Sequence, residues 1–482
     1  MASSLTLLLA VTLAVSSAHA QTQTPTPQDE EAAKAEAKQK KKREARRKRA
    51  EQPQQPMRAR RPYQAVFGGT SAVPDDLTQT LDVTGIVSES YDQNLFVDLS
   101  GPTATTPQQS GFYTHMNGEL AYNRIASRLQ FNANGGATAR YYTDLSSFHA
   151  SDYHAGVGLS GRATRRTTFT ANQTFGYAPV YFYGLFVNAF LPELGQGRPP
   201  GTDYAVGDER SYNGMTAAQL NHAFSARSNV VVTGGLHLTR YVNPTPLHTG
   251  FTEQNVGADY LYQFGRDGHL DLAYTFRSAN YENALALIPG QNPKEHAFGL
   301  GIDFSRVMSE TRRTSFALRG GTIIAEAPVA PLPVEGVGVA SSQLLRVLAE
   351  ASVVHQFGET WQMSGTYKRG TGFIEGVRVP VFTDGWSIGA NGLLAPRADL
   401  FAEVSYSTGD ATRVGADVAF SSFATSVRYR WAISPKWAWT NEYVYYAYDF
   451  SRSVVLLPGT PPRMKRNVFR TGITFWVPWV RR

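Results

Sequence analysis

Residues 255–277 read NVGADYLYQFGRDGHLDLAYTFR. Val256, Ala258, Tyr260, Tyr262 and Phe264 share one parity, against Asn255, Asp259 and Gln263 on the other. After GRDG at 265–268, Leu270, Leu272, Tyr274 and Phe276 oppose Asp271, Thr275 and Arg277. A period of two belongs to β-strands, whose successive side chains point to opposite faces. A polar tetrad bounded by Gly between two such runs reads as a turn. The segment is therefore a hairpin with one apolar and one charged face.

The same alternation recurs outward from this hairpin. Leu129, Phe131, Ala133, Ala137 and Tyr141 oppose Arg128, Gln130, Asn132, Asn134, Thr138 and Arg140; Phe298, Leu300, Ile302 and Phe304 face away from Asp303. Leu345, Val347, Ala349, Ala351 and Val353 oppose Arg346, Glu350 and Ser352, and Phe423, Val427, Tyr429 and Trp431 oppose Arg428 and Arg430. A soluble sandwich also alternates, so the connections have to decide what lies outside. Tight connections at 124–127, 163–166, 224–227, 265–268, 308–311, 358–360, 395–397 and 434–436 alternate with longer ones at 95–110, 145–148, 179–209, 243–250, 282–293, 327–340, 371–380, 408–415 and 451–465. Short periplasmic turns alternating with longer external loops are the pattern of an outer-membrane barrel. Eight short and nine long connections predict eighteen strands from about residue 79 to the C-terminus, within a range of 16 to 20, with both termini periplasmic. Trp361, Tyr367, Trp386, Tyr406, Trp431, Trp437, Trp439, Tyr446, Tyr448, Phe475 and Trp479 are expected in aromatic girdles at the interfaces.

Residues 1–20, MASSLTLLLAVTLAVSSAHA, have an apolar stretch and an Ala-His-Ala ending, which predicts a secretory signal cleaved before Gln21. Beyond it no run approaches the ~18 apolar residues of a membrane-spanning helix. Charge is unevenly placed. Residues 21–62 hold 13 Lys plus Arg against 6 Asp plus Glu, leaving 33 of each sign elsewhere, so the net +7 sits in this segment. The stretch 29–52 has no Val, Ile, Leu or Phe and cannot pack a core. Residues 21–78 are expected to be a disordered, Pro-flanked periplasmic tail. It serves either as a spacer or as a basic arm for anionic periplasmic material; nucleic acid is not an expected partner of an exported chain.

No G-x-S-x-G, H-E-x-x-H or phosphate-cradling loop is present, and no cofactor or metal is expected. The inward faces carry the chemistry: Arg128, Arg140, Asp259, Asp271, Arg277, Asp303, Arg319, Arg346, Glu350, Lys368, Glu403, Arg428 and Arg430 are the candidates for a water-filled lumen, with Glu119 beside them. They line a polar path for a hydrophilic solute or sugar chain, or brace the wall as ion pairs.

At the first strand the chain reads SYDQNLF, residues 90–96. Tyr91, Asp92, Asn94, Leu95 and Phe96 resemble the opening of the β-barrel porin type 2 family, and the likeness continues loosely through the Gly-, Tyr- and Thr-rich hairpins. The resemblance implies an outer-membrane barrel and a link to exopolysaccharide secretion, with polysaccharide or export machinery as partners besides lipid. Asp92 and Asn94 are also placed to close an external turn through side-chain to backbone bonds. The expectation is a conduit and not an enzyme; the alternatives are a structural barrel that anchors the basic tail, or a barrel hydrolase.

Overall fold

The computed structural model describes residues 78–93, 110–142, 147–179, 210–242, 250–281, 293–309, 312–328, 341–358, 360–374, 377–411, 419–451 and 462–482. The expected signal sequence, the basic segment up to residue 77, Asn94, Leu95, Phe96 and the connection 180–209 lie outside the described residues.

The described residues form eighteen strands. They are β1 (Gln79–Asp92), β2 (Gly111–Ile125), β3 (Leu129–Tyr142), β4 (Ser147–Arg162), β5 (Thr167–Pro179) and β6 (Arg210–Ala223). Next come β7 (Ser228–Tyr241), β8 (Phe251–Gln263), β9 (Gly268–Tyr281), β10 (Lys294–Ser309), β11 (Arg312–Pro328) and β12 (Ser341–Phe357). The last six are β13 (Trp361–Ile374), β14 (Val377–Ala395), β15 (Ala398–Ala411), β16 (Ala419–Ser434), β17 (Trp437–Phe450) and β18 (Arg463–Arg481). Each strand pairs antiparallel with the next in sequence, and β18 returns to β1, so the sheet closes on itself. Closure leaves no sheet edge along the ring, which satisfies the backbone without water. At the seam, Pro478 lies opposite Asp82 where the register shifts, so the missing N–H falls at a bulge. The ring is completed when Thr78 and Gln79 donate their N–H groups to the Arg482 carbonyl at 2.6 and 2.9 Å.

The tight connections form one rim. In the β4–β5 turn the Thr164 hydroxyl accepts the Arg166 N–H at 3.1 Å, and in the β6–β7 turn Ser225 does the same for Arg227, also at 3.1 Å. Such self-bonding by Ser and Thr is what sets a turn. Two expected connections shrink: β13 and β14 continue through most of 371–380, and β15 continues to Ala411.

Period two then decides inside and outside. Val256, Leu272, Leu300, Ile302, Leu318, Leu345 and Val347 are exposed apolar side chains on one face of their strands, and their cross-strand partners fall on the same face. In a closed sheet that face is the outer one. Aromatic pairs ring it towards both ends: Trp437–Phe475 at 5.7 Å near the turn rim, and Tyr177–Tyr212 at 5.1 Å and Tyr91–Phe112 at 5.2 Å near the other. Trp361 lies over Gly392, where a Cβ would come within 2.3 Å of the indole, and donates to the Leu393 carbonyl at 2.9 Å. Two girdle candidates differ. Tyr446 and Tyr448 lie on the opposite parity to Trp437, Trp439 and Tyr443, with 0% and 3% exposure, so they fill the interior. Their strand, WAWTNEYVYYAYDF, is aromatic on both faces, and alternation alone cannot sort them.

Candidate conduit through the barrel

The positions alternating with the exposed apolar side chains form the inner wall. Arg140 on β3, Asp259 on β8, Asp271 and Arg277 on β9, Asp303 on β10, Arg319 on β11, Arg346 and Glu350 on β12, Lys368 on β13, Glu403 on β15 and Arg428 and Arg430 on β16 all have this parity. Glu119 has it on β2. Arg128 does not: β3 begins one residue later, at Leu129, and Arg128 is an exposed turn residue whose carbonyl accepts the Arg162 N–H at 2.9 Å.

Several inner charges are met by partners, of which Asp259 and Asp271 were candidates from the sequence, whereas Glu253, Glu295 and Asp399 were not. Arg277 pairs with Glu295 and approaches Glu253 at 4.0 Å; Arg319 pairs with Asp271 and approaches Asp259 at 3.9 Å. Arg319 reaches Asp271 across β10 because Gly299 and Gly301 stand between them: a Cβ at Gly299 would come within 3.1 Å of the Arg319 stem. Arg430 forms a two-point pair with Asp399 at 3.0 and 2.5 Å, the geometry that suits a guanidinium and a carboxylate. Arg428 lies over the Phe401 ring at 5.3 Å, and Arg140, fully buried, over Tyr113 at 4.8 Å. At the seam Arg466 is bonded to both oxygens of Asp92, and both side chains are fully buried. Asp92 therefore ties β1 to β18, rather than simply closing a turn. Nearby, Arg470 joins Glu442 at 2.8 Å and Ser90 at 3.2 Å.

In contrast, Asp303, Arg346, Glu350 and Lys368 are exposed while facing inward, so the interior is open to solvent along β10–β13. Among the described residues there is no group of three or more His, Asp or Glu side chains that could hold a metal ion.

The β13–β14 hairpin narrows that interior. Pairing of β12 with β13 stops at Ala349–Arg369, yet β12 runs on along β11 to Ser341 and β13 runs on along β14. Beyond Arg369 the hairpin leaves the ring and leans inward. Thr371 and Phe382 have outward parity on β13 and β14, but they contact the inner faces of other strands. Arg277 donates to the Thr371 carbonyl at 2.7 Å, the Thr371 hydroxyl bonds to Glu295, and Arg346 and Arg369 lie over the Phe382 ring at 5.4 and 5.0 Å. Ile323 is fully buried and would touch a Cβ on Gly370 at 3.7 Å. The hairpin thus lies against the inner wall of β9–β12, with the Arg277–Glu295 pair as its clamp.

An antiparallel barrel of eighteen strands with a charged inner wall defines a class of fold, and that class rests on the geometry above. No protein-family model matches the chain, and no match is found among curated proteins. The likeness to the β-barrel porin type 2 family therefore stays with the residues at 91–96. Among solved structures the chain is similar to OccK2 (OpdF) of Pseudomonas aeruginosa in complex with glucuronate: 9% identity, TM-score 0.43, covering 83% of this chain and 98% of that one. It is also similar to OpdL of Pseudomonas aeruginosa, at 10% identity and TM-score 0.42, covering 84% and 100% of the two chains. A BenF-like porin from Pseudomonas fluorescens Pf-5 gives 9% identity and TM-score 0.42, with the same coverage. At these values the likeness says nothing of solutes or mechanism.

Proposed function

We propose that the barrel spans an outer membrane as a conduit for small hydrophilic solutes, with the tight turns and both termini on the periplasmic side. The observation that carries this reading is the division of the closed wall: exposed apolar side chains outside, and charged side chains inside that remain open to solvent at Asp303, Arg346, Glu350 and Lys368. In lipid only a closed sheet or a helix satisfies its own backbone. Eighteen strands give a barrel wide enough for an aqueous interior. The inward β13–β14 hairpin limits the width of the path and favours small solutes over a passing polymer, so the exopolysaccharide export implied by residues 91–96 gains no support from the barrel. The signal sequence and the basic segment fit the same reading as an export address and a periplasmic arm for anionic material.

Reconstitution of the purified full chain into planar bilayers tests the proposal. Stepwise ion conductance is the expected result. A folded, membrane-inserted protein that never conducts would overturn it.

A further inference from the structure

The inner wall changes character between its two arcs. From β8 round to β18 and β1 it carries the ion pairs described above, whereas along β2–β7 amides and hydroxyls dominate. The register joins these neutral residues into rows. Asn123 on β2 faces Asn132 on β3, which faces Gly158 on β4, then Asn172 on β5, Ala217 on β6, Gly235 on β7 and Asn255 on β8, and Asn255 faces Arg277 of the hairpin clamp. The adjacent row towards the turn rim runs Gln130, Ser160, Thr170, Gln219, Thr233 and, past Gly257, Thr275. Neither row contains a charge before the clamp.

The first row also climbs. It meets β3 at its fourth residue, β5 at its sixth, β7 at its eighth and β9 at its tenth, counted from the turn rim. Each hairpin raises it by two residues, about 7 Å along the strand. The result is a neutral ramp from the periplasmic rim to the constriction. The glycines keep its amides low against the wall: a Cβ on Gly158 would come within 2.4 Å of the Asn132 amide and 2.6 Å of the Asn172 amide, and one on Gly235 within 2.6 Å of Asn255. The row amides remain partly open to the interior.

Resting on the conduit reading, we propose that this ramp is a binding track for neutral polyhydroxylated solutes, the chemical class of sugars. An amide offers two donor hydrogens and two acceptor lone pairs, so a bond to a neighbour leaves capacity for a ligand. A sugar hydroxyl likewise donates and accepts, and neighbouring hydroxyls match an amide in pairs. A carboxylate has only acceptors to offer, so it leaves the carbonyl half of the amide it meets unused, and no cation on the two rows before the clamp balances its charge.

Equilibrium binding of raffinose to the full chain in detergent tests this without requiring conduction, with trigalacturonate as an anionic trisaccharide of similar size. Raffinose should bind the native protein, and Asn132→Leu combined with Asn172→Leu should weaken it about tenfold. Ala171→Leu, on the same strand but the outer face, should leave binding unchanged. If the double variant loses the gel mobility of a folded barrel, Asn255→Leu alone should still weaken raffinose binding. Raffinose binding in a barrel that does not conduct would support the track while overturning the conduit. No raffinose binding, binding indifferent to these asparagines in folded variants, or trigalacturonate bound as tightly through the same residues would each overturn the track.

Discussion

Replacing Asp92 by Asn should destabilise the barrel far more than the same change at Asp449. Both aspartates pair with an arginine of β18, and the two pairs differ in burial. Asp92 receives Arg466 Nε at 2.9 Å and Nη2 at 2.5 Å, with both side chains at 0% exposure. Asp449 receives Arg463 Nε at 2.9 Å, with side chains exposed by 47% and 79%. An exposed pair contributes about 0–1 kcal/mol. Removing one partner of a buried pair leaves the other charge without compensation and costs about 3–5 kcal/mol. Asn keeps the size and removes the charge, so the Asp92 substitution isolates this term. Replacing the buried pair with apolar residues of similar volume, Asp92→Leu with Arg466→Met, should recover most of the loss. The pair also spans the β1–β18 seam, so its loss should speed hydrogen exchange at the neighbouring Tyr91–Phe469 pairing. Urea unfolding in lipid vesicles, followed by tryptophan fluorescence and by the mobility of unboiled protein on a denaturing gel, measures the difference. An Asp92→Asn variant as stable as Asp449→Asn, or a double variant no better than the single one, would refute the argument.

Charge placed on the outer face should also be costly: Ile302→Arg or Val347→Arg, each at an exposed outward position, should lose about 2–4 kcal/mol in lipid, and neutral effects would show that this face does not meet lipid. Inside, Arg346→Glu with Lys368→Glu should shift single-channel preference towards cations, because both side chains are exposed within the lumen; unchanged reversal potentials would place them away from the ion path. Arg277→Ala removes the bond to the Thr371 carbonyl and leaves Glu295 without its strongest charge partner, so the β13–β14 hairpin should loosen and conductance rise. Conductance equal to the native channel would mean the clamp does not hold the constriction.

The fold was legible because its signals are local. Val256 to Phe264 against Asn255 to Gln263 needs only a period of two, and Gly265 and Gly268 mark the turn within the same window. Alternating short and long connections then supplied the strand number. The inner wall was only half legible. Its parity could be read one strand at a time, as at Arg346 and Glu350, but its partners could not. Arg466 and Asp92 are 374 residues apart and Arg277 and Thr371 are 94 apart, and only the closed register brings them together. Arg128 fell on the wrong side of a one-residue boundary. The inward lean of β13–β14 left no sequence signal either, because Thr371 and Phe382 keep ordinary strand parity while their hairpin departs from the ring.

Register also explains why the neutral ramp and the clamp meet. Strands that close into a barrel must tilt, and a tilted strand makes each cross-strand row climb the wall. The climb of two residues per hairpin from Asn132 to Arg277 is therefore a consequence of closure. What the sequence adds is the choice of residues placed on that row: amides at Asn123, Asn132, Asn172 and Asn255, with Gly158 between two of them where both must lie flat. A row of the opposite slope would run from the turn rim away from Arg277. With this slope, a solute that exchanges one amide for the next is delivered to the Arg277–Glu295 pair, where the β13–β14 hairpin stands across its path. In the proposed conduit the ramp governs how long a neutral solute stays, and the clamp governs whether it passes. Changes at Asn132 or Asn172 should therefore act on binding, while changes at Arg277 should act on conductance.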